Sequence, residues 1–250
     1  MGTLKIRLFG HLELSYEDQT LSKFPTRKAR GLFAFLAVHA SRLHSRERLS
    51  ALFWPKSTES AARKRLRTEL WHTRQFLAAV EDGDRVILTD HGDVGINPAA
   101  DVWVDRMAFE EMLGTVERDR CLTPARARQL ARAVETYRGP LLEGCYDDWC
   151  LEERRYLEER WISALEKLMA FHQQRRDWPE AIHYGSEVLR RDPLAEHVHR
   201  GLMRCHFEQR NRTAALRQYR RCVDALAREL DVEPMPETVE LCRQIRACQA

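Results

Sequence analysis

The chain has 250 residues, 32% of them charged, with a formal net charge of only +3. That length admits two domains, each with its own core. No apolar run approaches the roughly 18 residues of a membrane-spanning helix, and the opening Met-Gly-Thr-Leu-Lys-Ile-Arg lacks a signal-peptide core. A soluble cytoplasmic protein with no membrane partner is therefore expected.

Leu4 to Phe9 alternates apolar and basic residues, and His11 to Tyr16 alternates again after Gly10. Two such runs predict an antiparallel hairpin with one buried face. Pro25 then stops strand pairing. From Arg27 to Ala40, Leu32, Phe33, Leu36 and Ala37 have helical spacing. A second helix follows, with Ser45 as its N-cap and Pro55 as its stop.

The third helix, Ser60 to Leu77, carries the densest information. Leu66, Leu70, Thr73 and Leu77 form an inward stripe. Lys64, Thr68, Trp71 and Gln75 fall opposite it. Arg63, Arg67 and Arg74 lie along one flank, Arg65 and His72 along the other, against the single carboxylate of Glu69. Such flanks suit phosphates and such a ridge suits base edges. Taken alone, the helix equally suits a membrane surface or an acidic protein partner. Its neighbours decide between these. Asp82-Gly83-Asp84 is a turn, Val86 to Leu88 a strand, Asp90-His91-Gly92-Asp93 a second turn and Val94 to Ile96 the returning strand. Strands, three helices and a hairpin make a winged helix-turn-helix, whose third helix enters the major groove of double-stranded DNA. Charge points the same way: the first hundred residues hold sixteen Lys and Arg against eleven Asp and Glu, the remainder twenty-five against twenty-seven.

From Asp101 strand signals fade and helices are expected to follow one another. Thr123-Pro124 opens one that ends near Arg138, and a long one runs from Asp147 to about Arg175, with Trp149, Leu157, Trp161, Leu165 and Leu168 as apolar contacts. A period of 34 then relates Leu168-Met169 to Leu202-Met203, His172 to His206, Arg176 to Arg210 and Ala181 to Ala215, which is the tetratricopeptide period. Pro234 and Pro236 break the chain before a last helix, Glu237 to Ala247. The fold class expected is mainly α with a small β component: a winged helix-turn-helix over 1–98, followed by an all-α tetratricopeptide-like domain over 99–250.

Chemistry beyond binding is not signalled. Phosphate-loop, His-Glu-x-x-His and Gly-x-Ser-x-Gly motifs are absent, so neither catalysis nor a cofactor is expected. Seven cysteines (Cys121, Cys145, Cys150, Cys205, Cys222, Cys242 and Cys248) form no Cys-x-x-Cys pair and read as reduced thiols rather than zinc ligands. Asp147 and Asp148, near Glu152 and Glu153, suit a helix N-terminus better than a cation.

These residues resemble a known family, the SARP-type bacterial transcriptional activators. The resemblance rests on Leu66-Arg67 and Arg74, on Tyr137-Arg-Gly-Pro-Leu-Leu with Trp149, and on Glu152-Glu-Arg-Arg-Tyr-Leu-Glu-Glu-Arg. Arg191-Asp-Pro-Leu-Ala-Glu, Ala215-Leu216 with Tyr219, and Leu226-Ala-Arg-Glu-Leu-Asp-Val-Glu-Pro-Met-Pro-Glu extend it over nearly the whole chain. It implies an OmpR-like winged helix joined to a bacterial transcriptional activation domain. It also implies binding to direct repeats near a promoter as side-by-side protomers, contact with RNA polymerase through its sigma factor, and DNA-facing roles for Lys64, Thr68, Trp71, His72 and Arg74. Two departures stand out: Gly92-Asp-Val-Gly-Ile replaces the usual Gly-Tyr of the wing, and Trp71 and Thr73 are unusual in the third helix. The competing readings are an interaction scaffold whose basic helix meets an acidic partner, and the regulatory N-terminal part of a larger regulator.

Overall fold

A computed structural model of the chain describes residues 2–17, 19–21, 23–117 and 122–247; Cys121 and Cys248 lie outside the described residues. Three strands, β1 (Leu4–Arg7), β2 (Glu13–Tyr16) and β3 (Gln19–Leu21), lead into α1 (Arg27–Val38). A two-residue strand β4 (His44–Ser45) precedes α2 (Arg46–Phe53) and α3 (Glu59–Leu77). Strands β5 (Ile87–Asp90), β6 (Asp93–Ile96) and β7 (Val102–Val104) follow, then α4 (Asp105–Glu117), α5 (Pro124–Thr136) and α6 (Asp148–Gln174). The chain ends in α7 (Trp178–Arg191), α8 (Glu196–Glu208), α9 (Arg212–Leu230) and α10 (Pro236–Ala247).

Packing divides the chain into one unit of Met1–Met112 with Glu135–Leu157 and another of Leu113–Val134 with Glu158–Ala250. These packing units do not follow a single cut in the sequence. Strand β7 pairs in parallel with β1, Ile6 opposite Val104, and completes a sheet of order β3-β2-β1-β7. Strand β7 lies beyond Asp101, where strands were expected to give way to helices, and α4 begins directly after it. Three-residue strands such as β3 and β7 are too short for alternation to show in the sequence.

The end of β1 is held by a buried carboxylate. Asp105, at the start of α4 and 1% exposed, accepts Leu8 N–H at 2.9 Å, Phe9 N–H at 3.1 Å and its neighbour Arg106 N–H at 2.7 Å. Burial still raises its pKa, against the opposing pull of those N–H groups and of Arg138. The later segment of this unit then returns along the same edge. Gly10 N–H donates to Pro140, Leu142 N–H to Leu8 and Glu143 N–H to Gly10, at 2.9, 2.8 and 2.7 Å. Above this seam Tyr137 packs on Phe9 with ring centroids 4.7 Å apart. Arg154 fixes the following loop by donating to the carbonyls of Leu141, Leu142 and Cys145, each at 2.8 Å.

Helices α1, α2 and α3 pack together beside the wing sheet β4-β6-β5. Thr26 caps α1, its hydroxyl accepting Ala29 N–H at 2.9 Å, and Ser45 caps α2 by accepting Arg48 N–H at 3.2 Å. His39 closes this core. Its buried ring lies edge-on to Phe35 at 4.6 Å and accepts from Arg42 Nη2 through Nδ1 at 3.2 Å, which requires the neutral form. Burial, with Arg42 beside it, lowers its pKa from 6.5 to about 3. Glu153, 3.8 Å away, is instead the ion-pair partner of Arg106 at 3.0 Å.

The second unit confirms the 34-residue period in its turns as well as its core. Leu168 and Met169 are buried with their counterparts Leu202 and Met203, as are Ala181 and Ala215. Arg176 and Arg210, one period apart, both take positive φ, 58° and 62°. At the first turn Arg176 N–H donates to Gln173 at 3.0 Å and Asp177 N–H to His172 at 2.9 Å; at the second, Arg210 N–H donates to Phe207 and Asn211 N–H to His206, both at 2.9 Å. Both are Schellman ends. The next residues differ in use: Asp177 accepts from the His172 ring at 2.9 Å, whereas Asn211 caps α9 by accepting Ala214 N–H at 3.0 Å. His206 Nδ1 is accordingly buried without a partner.

Asp105→Ala strands the Leu8 and Phe9 donors and should cost roughly 2–4 kcal/mol in urea denaturation, with Asp105→Asn in between. His39 generates a pH prediction. The unfolded ring binds a proton near pH 6.5 and the folded ring only near 3, so stability is complete above the first value and falls as pH drops toward the second. Denaturation series at pH 7, 6 and 5 should show a shallower pH slope for His39→Gln than for the parent chain.

Candidate nucleic-acid interface

Helix α3 presents its faces as its sequence requires. Ala62, Leu66, Leu70, Thr73 and Leu77 are buried against α1 and α2. Thr73 satisfies its hydroxyl within the helix by donating to the Glu69 carbonyl at 2.7 Å, so a threonine can occupy a leucine-like position. Glu69 turns inward as well, accepting the Thr26 hydroxyl at 2.5 Å. The carboxylate of the basic segment thus sits at the start of α1, where the helix dipole favours it. Near the far end, Phe76 stacks on Phe24 at 4.1 Å.

Opposite this stripe Lys64, Thr68, Trp71 and Gln75 are exposed, Trp71 by 57% with its ring edge-on to His72 at 5.1 Å. The Thr68 hydroxyl donates to the Lys64 carbonyl at 3.2 Å, which leaves its oxygen as an acceptor. The five flanking residues separate into two groups. Arg67 is exposed and joins Lys64 and Arg46 around a surface recess of about 480 Å³. Arg63 lines the same recess, but its guanidinium is held by Glu59 at 2.6 Å and Glu47 at 3.1 Å. Arg65 donates to the Ser57 hydroxyl at 2.9 Å, and half-buried Arg74 to Thr89 of β5 at 2.6 Å. Arg74 therefore braces the wing to α3, and His72 is half-buried beside Trp71.

Arg46 was not singled out by the sequence, since it lies in α2 and reaches the recess only through tertiary packing. The wing is a two-residue hairpin turn, with positive φ at His91 (44°) and Gly92 (97°). Its tip carries Asp90 and Asp93, whose charge disfavours close approach to phosphate. Gly95, part of the unusual wing sequence, has a packing reason: a Cβ there would stand 2.9 Å from the Arg42 carbonyl. Among the described residues no group of three or more His, Cys, Asp and Glu could hold a metal ion, and no helix is long and apolar enough to cross a membrane.

Comparison with known proteins gives the family and the fold. Residues 104–246, more than half of the chain, match the bacterial transcriptional activator domain. The transcriptional regulatory protein MoaR1 of Mycobacterium tuberculosis is 25% identical, over 98% of this chain and 79% of MoaR1. The fold is that of Mycobacterium tuberculosis EmbR, solved in complex with a low-affinity phosphopeptide: TM-score 0.78, 20% identity, and coverage of 100% of this chain and 66% of the EmbR chain. The chain belongs to the bacterial transcriptional activator domain family, as a SARP-type transcriptional regulator.

Proposed function

We propose that this regulator is a sequence-specific, double-stranded-DNA-binding activator that places α3 in the major groove. The observation that carries the reading is the rotation of α3: its stripe is buried, its carboxylate is turned inward, and Lys64, Arg67, Thr68, Trp71 and Gln75 are left outward. Arg67 and Arg46 meet phosphates, and Lys64, Thr68, Trp71 and Gln75 meet base edges and sugars. Arg63 contributes less than its charge suggests, because its two carboxylate partners must be displaced first. Arg74 acts as a brace. The family resemblance supports direct repeats as targets, side-by-side protomers on them, RNA polymerase and its sigma factor as partners, and a cytoplasmic site of action. None of these steps calls for catalysis.

Three substitutions separate the roles. Arg67→Ala should weaken binding by similar factors on all duplexes and lower the slope of log affinity against log salt by about one unit. An unchanged slope would remove Arg67 from the phosphate contacts. Lys64→Ala and Thr68→Ala should instead change which bases are preferred, by about 1–3 kcal/mol per lost contact, in a selection from randomised duplexes. Identical selected motifs would show that these side chains do not read bases.

A further inference from the structure

In the second unit, α7 and α9 enclose a groove of about 480 Å³ with α8 contributing its floor. Two polar side chains lie at the bottom, His199 at 3% and Gln218 at 4% exposure. Their hydrogen bonds fix which atom is left over. The Pro193 carbonyl can only accept, so His199 Nε2 carries the proton of the neutral ring and donates to it at 3.0 Å. The unprotonated Nδ1 then accepts from Gln218 Nε2 at 2.8 Å. The Gln218 carbonyl oxygen is left to the groove, with no donor among the described residues. An acceptor so placed is costly unless an incoming group donates to it. The fold itself does not demand this polar pair. One 34-residue period earlier, His199 corresponds to Leu165 and Gln218 to Tyr184, both buried.

The rest of the groove sets what an occupant must carry. Leu189, Leu202 and Ala225 give it apolar walls. Arg190, Arg221 and Arg228 line it against one carboxylate, Asp224. Glu187 engages Arg190 and Glu229 engages Arg228, in surface pairs that hold weakly. Arg221 is exposed, and no carboxylate among the described residues lies within ion-pair distance of it. We propose that this groove binds an acidic peptide segment of a partner protein, one with an apolar side chain between carboxylates. A backbone N–H of the segment donates to the Gln218 oxygen, and the apolar side chain packs on Leu189, Leu202 and Ala225. One carboxylate takes the open Arg221 fork, and a second competes with Glu187 or Glu229 for its arginine. A small inorganic anion would satisfy the guanidinium groups but neither the Gln218 oxygen nor the walls. Nothing here depends on how α3 meets DNA, so the two proposals stand or fall separately.

A random heptapeptide display library selected on the full chain tests this, with the leading peptide then titrated by fluorescence anisotropy. The expected winners carry Asp or Glu on both sides of a Leu, Ile or Met. Arg221→Ala should weaken binding of that peptide about tenfold. Gln218→Leu should weaken it roughly fivefold, and Arg67→Ala on α3 should leave it unchanged. Selected peptides without acidic and apolar positions, equal affinity for the parent chain and Arg221→Ala, or loss of binding in Arg67→Ala instead overturns the proposal. Arg221 is exposed, so its variant keeps the test valid even where Gln218→Leu folds poorly.

Discussion

A helix packed on two neighbours has one rotation that buries its apolar stripe, and that constraint organises the first unit. Leu66, Leu70 and Leu77, fully buried with Thr73 between them, fix α3 about its axis. Every outward residue is then determined by the 3.6-residue period, including those with no contact of their own. Polar bonds reinforce the same rotation: Glu69 is drawn to Thr26 at one side, and Arg74 to Thr89 at the other. The exposed cations need no specific interaction to hold them outward. Exclusion from the core does that.

The support beneath this helix comes from distant parts of the chain. Asp105 and the 137–143 segment finish the hydrogen bonding of β1, about a hundred residues or more away in sequence. In return, burial of a carboxylate and of a neutral histidine makes this unit sensitive to the loss of single partners, because the interior leaves unmatched polar groups costly. The second unit uses a more local device. Its helices meet mainly their sequence neighbours, and the same turn recurs at Arg176 and Arg210.

Much of this was legible in the sequence, for identifiable reasons. The α3 stripe, the caps at Thr123-Pro124 and Ser45, the wing turn and the 34-residue period all depend on residues close together in sequence. What was not legible depends on tertiary pairing: β7 joining β1, the return of residues 135–157 to the first unit, and Arg46 beside Lys64. Helical phase identified Arg63 and Arg74 as exposed or flanking cations, but phase says nothing of Glu47 and Thr89, which engage them.

The central claim is that the outward face of α3 recognises duplex DNA by sequence. Its most direct test is selection of genomic fragments by the purified chain at two salt concentrations. The account predicts enrichment of spaced direct repeats upstream of promoters, with affinity falling steeply as salt rises. Absence of any duplex binding at low salt would contradict it and would leave the basic helix to an acidic protein partner.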